Sequence, residues 1–430
     1  MTLSDCFSDP AFRAFFFELL QMDCSKEEKY RLLLEFCSQQ QERQNAGQND
    51  ERHPGSGSVA RSAPTDAVTP QIQVQPGLVE QTADSLRRAL LRMQASCHAD
   101  GGWGKVVEQS TFWHTAHAVL FLHAAQDLPG VGWSGELDEL LQRGVAWMEG
   151  EHGNWSVDSL ALAAGISTYN VGLMVRCFFR LGRTFFLRRE TMQRVYRSLD
   201  RLYHTQNADG GWDANIWSYE ITTPTRIWSE AGATGAALMA LAESNDERFL
   251  NVVSLGVRWL AATQNPEGSW NDGSCHPLLP EHQLTGQPSV AKTADALQGL
   301  FAARRLGVSL AAYPGSLDQA LGWLHRQGKR ILNPEAQGAG WAVGFTPTEY
   351  ENATITLETL LQLPDPRRGA TMPSLVGVAA WLVGVQRKCD GDPNDGSWVL
   401  GDTARTGLAL AGFYRQIVGG QPAEPMPWVL

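Results

Sequence analysis

The carboxylates that interrupt apolar segments are the residues of this sequence best placed to do acid–base chemistry. Asp295 lies in KTADALQGLFAARRLG and Glu358 in ATITLETLLQL, and both segments are apolar over most of their length. A carboxylate buried in such a segment is costly unless it is paired. We therefore predict both residues as candidates for a catalytic acid or a polar anchor.

Two more carboxylates precede segments of the same kind. Glu230 lies four residues before Thr234, and Glu351 lies three residues before Thr354. They are further candidates for an acid. The structural alternative is that each occupies the first turn of a helix, where the helix dipole favours negative charge.

Aromatic side chains accumulate in the same stretches. Such rings stabilise a cation through their π faces, or line an apolar pocket for a prenyl tail, a lipid or a peptide. Packing of the core alone predicts the same composition. The candidate ligand-binding residues are Trp113, Trp217, Trp228, Phe345, Tyr350 and His114.

Two kinds of helix alternate from Leu78 onward and must position these residues. The first kind is amphipathic and is followed by a Gly–Trp loop such as QNADGGWDAN, residues 206–215. The second kind is apolar around most of its surface, so it must be buried beneath the first. Each apolar helix begins near a threonine: Thr115, Thr168, Thr234, Thr293, Thr354 or Thr403. Six pairs in a constant order predict an all-α fold, a closed (α/α)6 toroid, in preference to an open superhelix.

The tryptophan of the Gly–Trp loops has a structural interpretation. Its ring would bury a large apolar area while its indole N–H finds a carbonyl group. The glycines permit a positive φ in the turn beneath it. Trp212 is therefore predicted to staple the outer rim of the third repeat, away from any chemistry.

These loops also carry a family resemblance. Residues 206–212, 264–270 and the expanded 386–398 read Gln-x-x-Asp/Glu-Gly-Ser/Gly-Trp or a variant of it, and an apolar helix follows each loop. They resemble the QW repeats of terpenoid cyclases of the squalene–hopene type and of protein prenyltransferase β subunits. The resemblance covers about 78 to 420 and implies the α/α toroid of those proteins.

The resemblance to class II terpenoid cyclases implies an acid that protonates an alkene. In that family the acid is an Asp in a DxDD motif that runs directly into Thr-Ala. Here the residue two positions before each of the six threonines is not acidic. Of the DxDD motif only the last Asp remains, as Asp402 directly before Thr403. We therefore expect a relocated acid, and the candidates are Asp295, Glu230, Asp402 and Glu351.

The resemblance to prenyltransferases implies a zinc ion held by Asp, Cys and His. His114 and Asp402 match two of these ligands, but Ala404 stands in place of the cysteine. We therefore expect no metal and no other cofactor, with a zinc site at His114 and Asp402 as the minor alternative. The basic candidates for binding a diphosphate are few: Arg226, Lys292 and Arg405.

The first part of the chain differs from the repeats. Residues 1–43 show the apolar spacing of a small helical module, which is a candidate for docking a protein partner. Residues 44–77 are rich in Pro, Gly, Ser and Gln and predict a flexible linker. The toroid would then span 78–430.

Composition excludes some functions. A formal net charge of −11 argues against a general nucleic-acid binder. Seven scattered cysteines without a CxxC pair suit a reducing compartment. The sequence contains no run of 18 apolar residues, so we expect no membrane-spanning helix. We expect a cytoplasmic protein, with peripheral membrane contact left open.

Two functions remain open. One is a single-toroid cyclase that acts on an isoprenoid or another apolar small molecule. The other is a toroid without catalysis that binds a ligand or a protein, recruited through residues 1–43 as in signalling or defence assemblies. A glycosidase would need two carboxylates across an aromatic-lined cleft, and the QW loops favour the terpenoid interpretation over it.

Overall fold

The computed structural model describes most of the predicted toroid. The described residues are 77–104, 110–150, 166–182, 184–216, 229–275, 284–310, 313–330, 349–363, 375–384, 386 and 403–419. All of them belong to one unit of the chain, 70–430. The predicted module, 1–43, and the predicted linker up to residue 76 lie outside the described residues.

Helices of the two predicted kinds alternate along the chain. The amphipathic helices are α1 (Leu78–Ser96), α3 (Gly135–Glu149), α5 (Arg189–His204), α7 (Leu250–Thr263) and α9 (Pro314–Arg330). The apolar helices are α2 (Phe112–Ala125), α4 (Thr168–Leu181), α6 (Ala231–Glu243), α8 (Val290–Arg305), α10 (Glu349–Leu361) and α11 (Thr403–Gly419). Residues 375–384 are helical as well, at the place of a sixth amphipathic helix. A 3-10 turn, Glu247–Phe249, precedes α7.

Two short antiparallel ladders connect the loops between helices. Strand β1 (Ile166–Ser167) pairs with β2 (Asn215–Ile216), and β3 (Trp270–Asn271) pairs with β4 (Pro288–Ser289). Each ladder joins a segment that leaves an amphipathic helix to a segment that enters an apolar one. The ladders therefore hold the starts of the apolar helices in register with the loops.

The apolar helices form a closed inner ring. Each contacts the next one along the chain, and α11 returns to contact α2. The amphipathic helices lie outside this ring: α5 packs on α4 and α6, α7 packs on α6 and α8, and α1 packs on α11. Burial explains the arrangement, because every residue of α6 from Ala231 to Leu241 is buried. The predicted (α/α)6 toroid is confirmed.

Helices α6 and α8 approach each other closely because glycines face each other at their crossing. A Cβ atom on Gly299 would lie 2.7 Å from the Cα atom of Gly235, and a Cβ atom on Gly235 would clash with the carbonyl oxygen of Asp295. The close approach sets the position of Asp295 against α6. Among the helices that the structure describes, none has the length and apolar character needed to span a bilayer.

The loop tryptophans fasten amphipathic helices to apolar ones. Trp212 is fully buried, and its Nε1 donates to the carbonyl oxygen of Leu202 in α5 at 2.8 Å. Its backbone N–H donates to Oγ1 of Thr234 in α6 at 3.0 Å. The same two bonds recur at Trp103, with Met93 and Thr115, and at Trp270, with Leu260 and Thr293. The repeated threonines are thus the acceptors that fix each loop to the helix that follows it.

An aspartate completes the staple in two of the loops. Asp209 accepts hydrogen bonds from the Gly211 amide at 3.0 Å, from the Ser229 hydroxyl at 2.8 Å and from Trp259 Nε1 in α7 at 2.9 Å. Asp100 accepts the equivalent three bonds from Gly102, Ser110 and Trp147. The loop therefore joins the amphipathic helix that precedes it to the next one along the rim.

We expect Asp209→Ala to lower the free energy of unfolding by about 2–4 kcal/mol, because three donors lose a charged acceptor. Urea unfolding followed by circular dichroism measures the change. Asp200→Ala, on the exposed face of α5, is the matched control and should change the midpoint little. Equal midpoints for the two variants would contradict the role assigned to Asp209.

Candidate functional site

A cavity lies at the centre of the inner ring. All six inner helices contribute to its lining. Part of the lining is aromatic or aliphatic: Trp113, Leu120, Tyr169, Leu173, Met239 and Leu408. Most of the other lining residues are polar or charged, so the described part of the lining is amphipathic.

Asp295 from α8 carries an unpaired carboxyl group in this lining. Burial raises its pKa to about 6, and the nearby cations Lys292 and Arg405 offset part of that effect. In the described part of the chain, the Asp295 side chain makes neither a hydrogen bond nor an ion pair. A carboxyl group with this pKa keeps its proton in part of the molecules at neutral pH, which suits a general acid.

Glu358 from α10 is in a different state, because it is paired. Arg405 of α11 donates from Nη2 to its Oε2 at 2.9 Å and from Nε to the same oxygen at 3.2 Å. The Arg405 guanidinium also lies 6.0 Å from the centre of the Trp113 ring. The two carboxyl groups of the lining therefore have separate environments, one unpaired and one held in a salt bridge.

His117 of α2 contributes a neutral imidazole. Its Nδ1 lies 2.9 Å from the carbonyl oxygen of Trp113, and because a carbonyl only accepts, Nδ1 carries the proton. Burial, aided by the positive charge of Arg405, holds the His117 pKa well below its usual value. The ring is therefore neutral at pH 7, and its Nε2 is a hydrogen-bond or proton acceptor.

Two arginines of α4 line the same cavity one helical turn apart. Arg180 lies with its Nε 3.8 Å from Oε1 of Glu243 in α6, and burial lowers the Arg180 pKa to about 9. Among the described residues, no hydrogen bond or ion pair involves the side chain of Arg176. Burial lowers the Arg176 pKa too, and the carboxylates of Glu243 and Glu358 act against that effect.

Glu230 belongs to a polar cluster at the starts of three inner helices. Its Oε2 lies 3.5 Å from Nζ of Lys292, which also donates to the hydroxyl of Tyr169. Burial raises the Glu230 pKa, and Lys292 offsets part of the rise. Glu230 is the N-cap residue of α6, directly before the first turn in which its structural interpretation placed it, and it ties α6 to α4 and α8.

The other predicted site residues fall in different places. Trp113 lines the cavity, whereas His114, whose Nδ1 lies 2.6 Å from the Thr111 hydroxyl, is not among the lining residues that the structure describes. Within those residues no group of three or more His, Cys, Asp or Glu side chains could hold a metal ion. The remaining candidates are outside the described residues or have side chains that are outside them: Trp217, Trp228, Phe345, Tyr350, Glu351 and Asp402. They stay predictions.

Sequence reasoning missed Arg176, Arg180 and His117. The signal that singled out Asp295 was also present for the arginines, because STYNVGLMVRCFFRLG carries two of them inside an apolar helix. A charged residue within an apolar helix thus indicated a position in the cavity lining, whether the charge was negative or positive.

Comparisons with known proteins agree with the fold. Residues 182–290 match the family model of the squalene–hopene cyclase C-terminal domain. A search by sequence among curated proteins finds no match.

Solved α/α toroids resemble the structure over most of its length. The type II terpene cyclase MstE from Scytonema, solved with geranylgeranyl dihydroxybenzoate, superposes with a TM-score of 0.51, at 14% identity, over 80% of this chain and 99% of its own. The GH76A α-1,6-mannanase from Salegentibacter sp. HEL1_6 superposes with a TM-score of 0.56 at 14% identity. The match covers 79% of this chain and 99% of the mannanase. An unsaturated glucuronyl hydrolase specific for heparin superposes with a TM-score of 0.55 at 11% identity. The match covers 79% of this chain and 98% of the hydrolase.

The fold is thus a terpenoid cyclase-like α/α toroid. At these identities the structural likeness establishes the fold alone, and glycoside-cleaving enzymes share it. The chemistry must be argued from the cavity.

Proposed function

We propose that this protein cyclises an isoprenoid in its central cavity and that Asp295 starts the reaction as the acid. The observation that carries the proposal is an unpaired, buried carboxyl group with a pKa of about 6 in a partly aromatic cavity. The match of 182–290 to the squalene–hopene cyclase domain supports an isoprenoid over a sugar.

The acid has a definite preference among the groups it could protonate. Protonating an alkene demands a strong acid whose anion is stabilised by neighbours, and the Asp295 carboxylate has no hydrogen-bond donor among the described residues. An epoxide oxygen is much more basic than a carbon–carbon double bond. We therefore infer that a terminal epoxide is the better substrate and a terminal alkene the poorer one.

The reaction balances without a cofactor. The Asp295 proton passes to the epoxide oxygen, the C–O bond breaks to give a hydroxyl group, and the nearest double bond attacks the carbon that becomes cationic. The Trp113 and Tyr169 rings line the cavity, and their π faces would stabilise positive charge on the substrate as they do on Arg405 and Lys292. His117 Nε2 accepts the proton that the last cation loses, which forms a double bond, and water carries that proton from His117 back to Asp295, so both groups return to their starting states.

Incubating the full-length protein with matched C20 and C30 polyenes, with and without a terminal epoxide, tests this proposal. We expect cyclised products by mass spectrometry, more from the epoxide of each pair. The alkene arm has an internal check in D₂O, because protonation at carbon places one deuterium in the product.

Two results would contradict the proposal. One is that no substrate is converted although calorimetry detects binding, which would favour the alternative of a toroid that only binds its ligand. The other is that products form at the rate of the protein-free control.

A further inference from the structure

We propose that Arg176 binds an anionic group of the cavity ligand and that this group is a carboxylate at the polar end of the isoprenoid. The inference deepens the proposed function, on which it rests for the apolar part of the ligand. The carboxylate itself follows from the charges of the lining.

The arginines of the cavity differ in what they already contact. Arg405 is engaged by Glu358 in a two-nitrogen salt bridge, and Arg180 lies beside Glu243. The Arg176 side chain, by contrast, has no hydrogen bond or ion pair within the described ranges, although it lines the cavity. Among the described lining residues, Arg176 is therefore the guanidinium left without an ion pair for a ligand to complete.

An unpaired guanidinium in this position is costly to the empty protein. Burial lowers the Arg176 pKa, which means that the charged form is poorly hydrated there. A ligand oxyanion replaces the missing hydration with charge-assisted hydrogen bonds, and a planar guanidinium offers two parallel N–H donors to a carboxylate.

The total charge of the lining indicates how much negative charge fits. Arg405 is paired with Glu358, and Arg180 lies beside the buried Glu243, so Arg176 leaves one net positive charge when Asp295 is protonated, as the proposed reaction requires. The whole chain carries −11, so the cavity departs in sign from the rest of the protein. A single carboxylate neutralises the lining, whereas a diphosphate would leave buried negative charge without a partner.

Calorimetric binding of unreactive probes tests the inference apart from catalysis. The probes are 3,7,11-trimethyldodecanoic acid, its methyl ester and the diphosphate of the matching alcohol, which lack a double bond to protonate. We expect the wild-type protein to bind the acid at least about tenfold more tightly than the ester. Arg176→Met should abolish this preference, and Arg176→Lys should retain part of it.

Arg189→Met, an exposed arginine at the start of α5, is the matched control and should keep the preference. Equal affinities for acid and ester in the wild-type protein would overturn the inference and leave the proposed function intact, as would an acid preference that survives in Arg176→Met. Tighter binding of the diphosphate would overturn the assignment to a carboxylate. Failure of all three probes to bind would overturn the proposed function as well.

Discussion

Asp295→Asn is expected to lower the rate of cyclisation by about 10²–10⁴-fold, the usual contribution of a positioned general acid. The amide keeps the shape of the side chain but has no acidic proton to give. Binding of the uncharged methyl ester probe should be unchanged, so the loss falls on kcat and not on affinity. Product formation under single-turnover conditions measures it.

The control for this variant is Asp127→Asn, the same chemical change at an exposed position between α2 and α3. It should keep the wild-type rate. An Asp295→Asn enzyme with wild-type turnover would remove Asp295 from the mechanism, and the acid would then have to be sought among Glu230, Asp402 and Glu351.

The pH dependence of the wild-type enzyme follows from the same group. Asp295 must be protonated to act, and burial raises its pKa to about 6. The rate should therefore be level below pH 6 and fall about tenfold for each pH unit above it. A rate that rises with pH through this range would show that the ionised carboxylate is the active form.

The stability of Asp295→Asn should change in the opposite direction to its activity. Below the unfolded pKa the carboxyl group is protonated in both states, so it causes no difference between them. As the pH rises, the unfolded chain ionises first, because burial raises the Asp295 pKa only in the folded protein. The wild-type protein therefore loses stability between about pH 4 and pH 6, and the loss persists at neutral pH.

Asn cannot ionise and avoids this loss. We expect Asp295→Asn to be more stable than the wild type at pH 7, by about 3 kcal/mol, and nearly equal to it near pH 3.5. Thermal unfolding at the two pH values measures the difference. A gain in stability together with a loss of turnover is the pattern of a functional buried acid.

Trp212→Ala is expected to have the largest effect on stability, about 3–5 kcal/mol. The ring is fully buried, and its Nε1 bond to Leu202 joins the loop to α5. Removing it leaves a cavity at the junction of α5, α6 and α7, together with an unpaired carbonyl oxygen. Urea unfolding of the variant should show a midpoint well below that of the wild type.

Two comparisons separate the contributions of the Trp212 ring. Trp212→Phe keeps most of the apolar area and loses the Nε1 hydrogen bond, so it should cost about 1–2 kcal/mol. Trp133→Ala removes a half-buried tryptophan from a loop outside the repeated staples and should cost less than Trp212→Ala. If Trp133→Ala and Trp212→Ala lower the free energy of unfolding equally, the repeated Gly–Trp loops contribute no more to stability than an ordinary loop tryptophan does.

The sequence was sufficient for the fold because the fold depends on local patterns. A helix that is apolar all round has one stable position, in the interior, and six copies in the same order close into a ring. The staple of Trp212 was predictable for the same reason, since a large aromatic directly after two glycines in a polar loop has few other roles. What remained unknown was its partners, the Leu202 carbonyl and the Thr234 hydroxyl.

The sequence by itself determined which charged residues were unusual, because charge in an apolar helix is visible without coordinates. It singled out Asp295 and Glu358 in this way. Only the tertiary structure decided their states, because Arg405, which pairs with Glu358, comes from a different helix. The closed ring likewise brings Arg176 of α4 into the cavity that Asp295 of α8 lines. Whether a buried charge is paired depends on distances between helices that are remote in sequence, and that is the information a linear pattern does not contain.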